Sequence, residues 1–253
     1  MNELRYVYAV SRPFQAALPK DLLGVAGAPV YALGHGDLVA VVSAVSPDDF
    51  DEAPLKAHLE NLDWLSDTAR AHESVVAALA SVTSPLPLRL ATLCRDDDGV
   101  RRLLDSGHAR FLRTLERLDG RVEWGVKVYA EAPAQSPDSA GPAPATGRDY
   151  LRRRLEERRT SERSWESADV VSRRLHEELA RHAEAVRLHR PQQAQLSQAA
   201  GHNVLNAAYL VPREESAAFV ETVNRLQPEE PGLSAELTGP WVPYSFAGDE
   251  DEQ

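Results

Sequence analysis

The sequence is poor in the features that build covalently linked, secreted or membrane-spanning proteins. Its 253 residues include one cysteine, Cys94, so an internal disulfide is excluded and the single thiol suits a reducing compartment. No run of about 18 apolar residues occurs, so no membrane-spanning helix is predicted. The amino-terminal residues enter a strand-like pattern at once, without the basic and then apolar order of a secretory signal. We therefore expect a cytoplasmic protein.

Basic residues are outnumbered by acidic ones, 28 to 39, and lysine in particular is scarce. Lysine occurs only at positions 20, 56 and 127, and the formal net charge is −11. Nucleic acids and anionic membrane surfaces are bound mainly by lysine and arginine, so both classes of partner are disfavoured. With 43% hydrophobic and 26% charged residues, the composition is that of a globular protein long enough for two domains.

Apolar periodicity predicts a sheet-and-helix domain in the first half of the chain. The runs at 30–33 and 38–45 flank a glycine-rich turn and predict a hairpin. Residues 38–42 are apolar on both faces, so the second strand of this hairpin is predicted to be central in its sheet. One continuous apolar stripe from Pro54 to Leu79 predicts a single long helix. In chain order, the predicted elements are a strand, a hairpin, a helix, an extended segment and a helix: residues 4–10, 30–33 with 38–45, 54–79, 86–93 and 97–118.

The second half predicts the order strand, helix, strand, strand, helix, strand, which is that of a ferredoxin-like domain. The corresponding residues are 122–128, 149–185, 186–196, 203–211, a short helix from Pro212, and 232–237. The fold class is therefore α+β, with an N-terminal α/β domain at 1–120 and a C-terminal ferredoxin-like domain at 121–253. A Pro- and Ala-rich stretch at 132–147 predicts a mobile loop, and residues 247–253 predict a disordered acidic tail.

Candidate reactive groups all have simpler interpretations. His176 and His182 lie six residues apart, whereas a zinc-binding helix places its histidines four apart on one face. His72 falls on the apolar stripe, which favours a core histidine over an acid–base pair with Glu73. Cys94 is interpreted as a buried cysteine rather than a reactive thiol. No catalytic, cofactor-binding or metal-binding residue is predicted, and we expect a protein that is not an enzyme.

The carboxyl-terminal stretch at 238–246 concentrates three aromatic residues and two prolines in nine positions. One interpretation is a structural plug that folds back over a sheet, because proline lowers the entropy of ordering and aromatics bury large areas. The other is a hydrophobic contact for a partner, because aromatics are enriched at the centres of interfaces. Physical reasoning favours the plug and leaves both open.

Seven segments in order along the chain resemble the gas vesicle protein L/F family. They are Tyr6-Val7-Tyr8, Gly36-Asp37-Leu38, Ala71-His72-Glu73, Leu86-Pro87-Leu88-Arg89-Leu90-Ala91-Thr92, Glu123-Trp124-Gly125-Val126-Lys127, Asn206-Ala207-Ala208-Tyr209-Leu210-Val211 and Thr238-Gly239-Pro240-Trp241-Val242-Pro243-Tyr244-Ser245-Phe246. Two departures stand out: Leu90-Ala91 replaces the family's Phe-Gly, and Val242 replaces a usual proline. The motifs do not separate the L type from the F type.

The resemblance implies a cytoplasmic accessory protein of gas vesicle assembly. Such a protein would contact the small hydrophobic shell protein (GvpA type) and other accessory proteins, and would need no cofactor; its oligomeric state is left open. The residues that the resemblance marks as partner-binding or motif positions are Arg89, Trp241, Pro243, Tyr244 and Phe246.

Three other function classes compete with this one. A ferredoxin-like domain can serve as a small-molecule-binding regulatory module, although this rests on fold analogy alone. An enzyme would need His72 and Arg89 together in a cleft. RNA binding through a sheet is disfavoured by the acidic charge and by the absence of the aromatic strand motif of that class.

Overall fold

The computed structural model describes residues 3–130, 148, 155, 167–191, 201–228 and 232–248. The chain divides into two compact units, Met1–Val122 with Trp241–Gln253 and Glu123–Pro240. All of 121–253 was predicted to form the second domain, but the chain from Trp241 onward clusters with the first unit. The reason is burial: Val242 packs against the core of the first unit and Phe246 is 1% exposed.

The first unit contains an antiparallel sheet whose strand order is β2-β3-β1-β4, with β5 also paired to β1. Its strands are β1 (Leu4–Ser11), β2 (Val30–His35), β3 (Leu38–Val45), β4 (Leu86–Pro87) and β5 (Leu93–Cys94). The predicted hairpin is confirmed: His35 pairs with Leu38, so Gly36 and Asp37 form the turn, and Gly36 adopts a φ of +61°. The predicted central position of β3 is also confirmed, because β2 and β1 flank it.

The helices of the first unit are α1 (Pro47–Phe50), α2 (Glu52–Leu59), α3 (Leu62–Ala80) and α4 (Asp97–Leu118). The prediction of one helix over 54–79 is wrong, because helix α2 ends at Leu59 and a separate helix begins at Leu62. The Asn61 side chain accepts the N–H groups of Asp63 and Trp64 at 3.0 and 3.2 Å and so caps a new helix. Leu59 and Leu62, counted in the apolar stripe, are exposed in the structure.

Helix α4 is confirmed as predicted. The Asp96 carboxylate accepts the Gly99 N–H at 2.6 Å at its start. Gly120, just beyond its end, adopts a φ of +69°, which suits a glycine. The Asp97 carboxylate accepts from Arg5 Nε at 2.6 Å and from the Tyr31 hydroxyl at 2.9 Å. These bonds attach the first turn of the helix to strands β1 and β2.

The second unit is built on another antiparallel sheet, of strand order β7-β8-β6-β9. Its elements are β6 (Arg121–Ala130), helix α5 (described residues 167–180), β7 (Ala185–Leu188), β8 (His202–Pro212), α6 (Ser216–Arg225) and β9 (Leu233–Trp241). The predicted strands at 122–128, 203–211 and 232–237 are confirmed, and each extends beyond its predicted carboxyl end. The predicted mobile loop at 132–147, most of the first half of the predicted helix 149–185, and residues 249–253 lie outside the described residues.

Two predictions in the second unit need correction. Helix α5 ends near residue 180 instead of 185, because the Glu184 N–H already donates to the Leu210 carbonyl at 2.9 Å and the chain joins β8. The strand predicted at 186–196 is β7, which begins at Ala185 and already ends at Leu188. The buried face of α6 is formed by Phe219, Thr222 and Val223. The Phe219 ring lies between those of Tyr209 and Trp124, at centroid distances of 5.5 and 6.4 Å.

Candidate functional site

The segment Trp241–Gly248, called here the carboxyl-terminal segment, combines both interpretations that the sequence left open. Phe246 is 1% exposed and Pro243 is buried, as a plug requires. Trp241 is 48% exposed and Tyr244 is 39% exposed, as a docking surface requires. The candidate set therefore divides: Pro243 and Phe246 are core residues that a partner cannot reach without unfolding the segment, whereas the Trp241 and Tyr244 rings face solvent in part.

The carboxyl-terminal segment is fixed to helix α4 by hydrogen bonds from one α4 side chain to its main-chain carbonyls. The Arg117 guanidinium donates to the carbonyl oxygen of Phe246 at 2.7 Å and to that of Gly248 at 3.4 Å. Residues 244–246 form one 3-10 turn, in which the Phe246 N–H donates to the Pro243 carbonyl at 3.2 Å. The predicted tail at 247–253 needs correction, since Ala247 and Gly248 belong to this anchored segment.

Tyr244 packs over a buried group of aromatic rings. The His72 ring lies 6.1 Å from the Tyr244 ring, 5.8 Å from Tyr6 and 5.6 Å from Tyr8, between centroids. His72 is 3% exposed, and burial lowers its pKa to about 4, so the imidazole is neutral near pH 7. His72 is thus a core residue, as predicted.

His72 shares one side-chain hydrogen bond with Tyr6. The Tyr6 oxygen accepts the Ala91 N–H at 3.0 Å and lies 3.2 Å from His72 Nδ1. The tautomer of the imidazole sets which of the two groups donates, since a hydroxyl group can both donate and accept. Within the described part of the chain, Nε2 has no hydrogen-bond partner. A buried polar atom without a partner lowers stability.

A cleft of about 440 Å³ opens beside Tyr244. Three segments of the first unit line it: residues 86–92, one face of α4, and the carboxyl-terminal segment. The lining residues are Leu86, Pro87, Leu88, Arg89, Thr92, Leu103, Arg110, Phe111, Thr114, Tyr244, Ser245, Ala247 and Gly248. Two sequence-predicted residues, Arg89 and Tyr244, thus meet at one cavity although 155 positions separate them.

The cleft does not bring together the pair that an enzyme would need. Arg89 lines it, but His72 does not. Sequence reasoning missed Arg110 and Phe111 on α4. One sequence signal was available: Gly107 and Phe111 are four positions apart, so they lie on the same face of the helix. In the structure the Phe111 ring fills the space above Gly107, where a Cβ atom would lie 2.6 Å from the ring.

The other candidate reactive groups have structural partners. Cys94 is half-buried, and burial raises the pKa of its thiol, so it is not an activated nucleophile. His176 Nδ1 lies 2.9 Å from the Tyr209 hydroxyl, whereas His182 lies 4.0 Å from Glu178. Among the residues that the structure describes, no cluster of three or more His, Cys, Asp or Glu side chains could hold a metal ion. The same residues include no helix with the length and apolarity to cross a membrane.

The fold and the site together define a mixed α/β protein with two antiparallel sheets and a carboxyl-terminal segment that is half core, half exposed aromatic surface. The family model described as gas vesicle synthesis protein GvpL/GvpF matches residues 4–248, and the chain belongs to this family. The family assignment made from the seven segments is therefore confirmed.

Relatives of known name agree with this assignment. The chain is 61% identical over 255 residues to gas vesicle protein L of Streptomyces sp. (strain CB03234), covering 99% of this chain and 95% of that protein. It is 27% identical over 255 residues to gas vesicle protein F of the same strain, covering 95% and 98%. The chain is thus more similar to the L protein than to the F protein of that strain, a distinction that the motifs left open.

Solved structures of the family share the fold. The crystal structure of GvpF from Anabaena sp. PCC7120 superposes with a TM-score of 0.69 at 19% identity, covering 98% of this chain and 97% of that one. GvpF from Microcystis aeruginosa gives a TM-score of 0.68, also at 19% identity, covering 98% and 100%.

Proposed function

We propose that this protein is a non-enzymatic accessory factor of gas vesicle assembly. It binds the small hydrophobic shell protein (GvpA type) and other accessory proteins at gas vesicles in the cytoplasm. Membership of the gas vesicle synthesis family supports the vesicle-related role. One observation carries the docking site: Trp241 and Tyr244 stay exposed on a segment whose neighbours Pro243 and Phe246 are buried.

Such a segment is suited to recognition because it is held in place before the partner arrives. Large aromatic side chains bury much area at little conformational cost, and a fixed backbone avoids the entropy of ordering a loop. A shell subunit that assembles into a water-excluding wall presents apolar surface beforehand and tends to aggregate. An acidic partner of net charge −11 that covers this surface would keep the complex soluble.

The domain architecture in this proposal is the one expected from the sequence, with a changed carboxyl end. We propose a ferredoxin-like second domain, supported by the strand order β7-β8-β6-β9 and by helices α5 and α6, which follow β6 and β8 in the chain. The first domain is proposed to comprise residues up to about Gly120 together with the carboxyl-terminal segment, in keeping with the two compact units.

The test is co-precipitation of the purified protein with the shell protein. Trp241→Ala combined with Tyr244→Ala should reduce capture at least tenfold, about 1.4 kcal/mol, because central aromatic residues dominate interface energies. The matched control replaces two other exposed apolar residues of the first unit, Leu23→Ala with Leu62→Ala, and should change capture less than about twofold.

Two results would overturn the proposal in different ways. Unchanged capture by a folded double variant would show that Trp241 and Tyr244 are not the docking site. The single variant Trp241→Ala is a control for misfolding, because it leaves the contact between Tyr244 and His72 in place. Absence of any capture by the wild-type protein would remove the function. The alternative of a small-molecule-binding regulatory module would gain support from a metabolite that raises the melting temperature of the protein.

A further inference from the structure

The outer edge of strand β2 has no strand paired to it within the described part of the chain. Strand β2 ends the order β2-β3-β1-β4 and pairs with β3 alone. His35 and Leu38 close the two-residue turn as a hydrogen-bonded pair, and such pairs alternate along an antiparallel ladder. The backbone N–H and C=O groups of Val30, Ala32 and Gly34 therefore point away from β3, toward the outer edge.

The side chains beside this edge are small on the exposed face of the strand. Tyr31 and Leu33 face helix α4, since the Tyr31 hydroxyl donates to Asp97 at 2.9 Å and Leu33 is buried on the same side. Ala32 and Gly34 lie on the opposite face and are exposed. A Cβ atom added at Gly34 would have no described atom within 4 Å, so the space beside the strand is open.

The other edges of the two described sheets carry features that discourage pairing with another strand. Strands β4 and β5 are two residues long and β4 contains Pro87, whereas β7 is four residues long and contains Arg187. Strand β9 contains Glu236 and Pro240. Short strands, charges and prolines protect a sheet edge from association. Strand β2, with six residues and no proline, acidic residue, lysine or arginine, lacks this protection.

The edge of β2 is also limited at both ends, which suits a strand of its own length. Pro29 has no N–H group, and the Ala28 carbonyl already accepts the Gly24 N–H at 2.8 Å. Beyond Gly34 the chain enters the turn at Gly36-Asp37. A longer strand would find bonding groups along residues 30–34 only, whereas a second copy of β2 has the same limits.

We propose that β2 pairs antiparallel with β2 of a second copy of this chain, across a two-fold axis. One register uses all the outward-facing groups: Ala32 lies opposite the partner's Ala32, and Val30 lies opposite the partner's Gly34. Each hydrogen-bonded pair exchanges two backbone bonds, and a shift of the register by two residues loses one pair. No like charges meet in this register, because the strand carries no acidic residue, lysine or arginine.

The test is sedimentation velocity of the full chain between about 1 and about 100 μM, because a short strand pair forms a small and therefore weak interface. The wild type should shift from monomer toward dimer as its concentration rises. The shift should be larger at about 0.5 M than at about 0.1 M salt, because salt screens the repulsion between copies. Each copy carries a net charge of −11.

Two variants at one position separate edge pairing from other contacts. Ala32→Pro removes an N–H group that makes no bond to β3, so the fold is retained, and it should weaken association at least tenfold. Ala32→Thr keeps the N–H group and should change association less than about twofold. Thermal melting of each variant checks that it is folded.

The register is tested by charge exchange at the two-fold axis. Ala32→Lys and Ala32→Glu should each associate about threefold more weakly than the wild type, because each then places like charges opposite one another. An equimolar mixture of the two variants should associate at least as well as the wild type. A mixture that associates no better than either variant alone would show that residue 32 does not face its own copy, and the proposed register would be wrong.

A wild-type chain that stays monomeric at both salt concentrations would overturn the proposal. So would a dimer that Ala32→Pro leaves intact, because that dimer would form through another surface. If the chain is monomeric and Ala32→Pro abolishes capture of the shell protein, the edge takes a strand of that partner and the second copy is wrong. None of the dimer measurements involves the shell protein or Trp241, so their failure leaves the proposed function untouched.

Discussion

Replacing His72 with phenylalanine should remove much of the acid sensitivity of the first unit. The imidazole is buried among the Tyr6, Tyr8 and Tyr244 rings and stays neutral in the folded state, with a pKa of about 4. Its ordinary value is 6.5, which applies to the unfolded chain. Between these values the unfolded state binds a proton that the folded state does not, so stability falls as the pH falls from 6.5 toward 4.

The size of this effect follows from the two pKa values. Each unit of pKa difference is worth about 1.4 kcal/mol, so the full loss well below pH 4 is about 3.5 kcal/mol. At about pH 4.5, where most carboxylates of ordinary pKa are still ionised, the loss relative to pH 7 is about 2.5 kcal/mol. The tyrosine neighbours do not contribute, because burial raises the pKa values of Tyr6 and Tyr8 and both stay protonated throughout.

At neutral pH the same substitution should be nearly neutral. Phenylalanine loses the hydrogen bond between the Tyr6 hydroxyl and Nδ1, which is worth about 1 kcal/mol, but it also removes a buried polar atom, Nε2, that has no hydrogen-bond partner among the described residues. The difference in unfolding free energy between variant and wild type should therefore shift in favour of the variant as the pH falls.

The assay is urea unfolding at about pH 7 and about pH 4.5, with pulsed hydrogen exchange of the β1 segment as the signal, so that the first unit is measured alone. The His72→Gln variant, which cannot titrate but keeps polar atoms near Tyr6, serves as a second probe if phenylalanine does not fit. Equal losses of stability on acidification in wild type and both variants would refute the reasoning.

Three further substitutions test local geometry by urea unfolding near neutral pH. Ala91→Gly should stabilise the protein by about 0.5–1 kcal/mol, because Ala91 adopts a φ of +59°; a loss of stability would contradict the left-handed backbone. Gly107→Ala should destabilise by about 1–2 kcal/mol despite the better helix propensity of alanine, because its Cβ would lie 2.6 Å from the Phe111 ring; a more stable variant would place that ring elsewhere. Asn61→Ala should cost about 1 kcal/mol through loss of the cap, whereas Ser66→Ala on the same helix should stay within about 0.5 kcal/mol; equal effects would argue against the cap.

Local chemistry made some elements predictable. Helix α4 has an aspartate cap at Asp96 and a glycine stop at Gly120, and both signals act within a few residues of the helix ends. The β2–β3 hairpin has Gly36-Asp37 in its turn and β-branched residues on either side. Such features depend on neighbours in the sequence, so the sequence alone reveals them.

Features that depend on distant packing were not predictable in this way. The leucine stripe continues past Asn61, and periodicity does not show that Leu59 and Leu62 lack a covering element. Likewise, the sequence around Trp241 and Phe246 does not show which of the two rings is buried. Burial depends on contacts that are distant in the sequence, with Arg117 on α4 and with the core of the first unit. The cleft was not predictable either, because its lining comes from three segments that lie far apart in the sequence.

Four of the seven family-like segments contribute residues to one cluster in the first unit, so a mutation in this cluster affects several of these segments at once. The Tyr6 hydroxyl contacts both His72 and Ala91, and the His72 ring in turn packs against Tyr244. Changes at any of these residues alter the support of the carboxyl-terminal segment as well as any docking on it. Trp241, which is 48% exposed, has no ring contact with this buried group among the described residues. Loss of partner binding in Trp241→Ala with unchanged stability would therefore show an effect on recognition separate from folding. Loss of binding in Tyr244→Ala alone would not, because that substitution also removes the contact with His72.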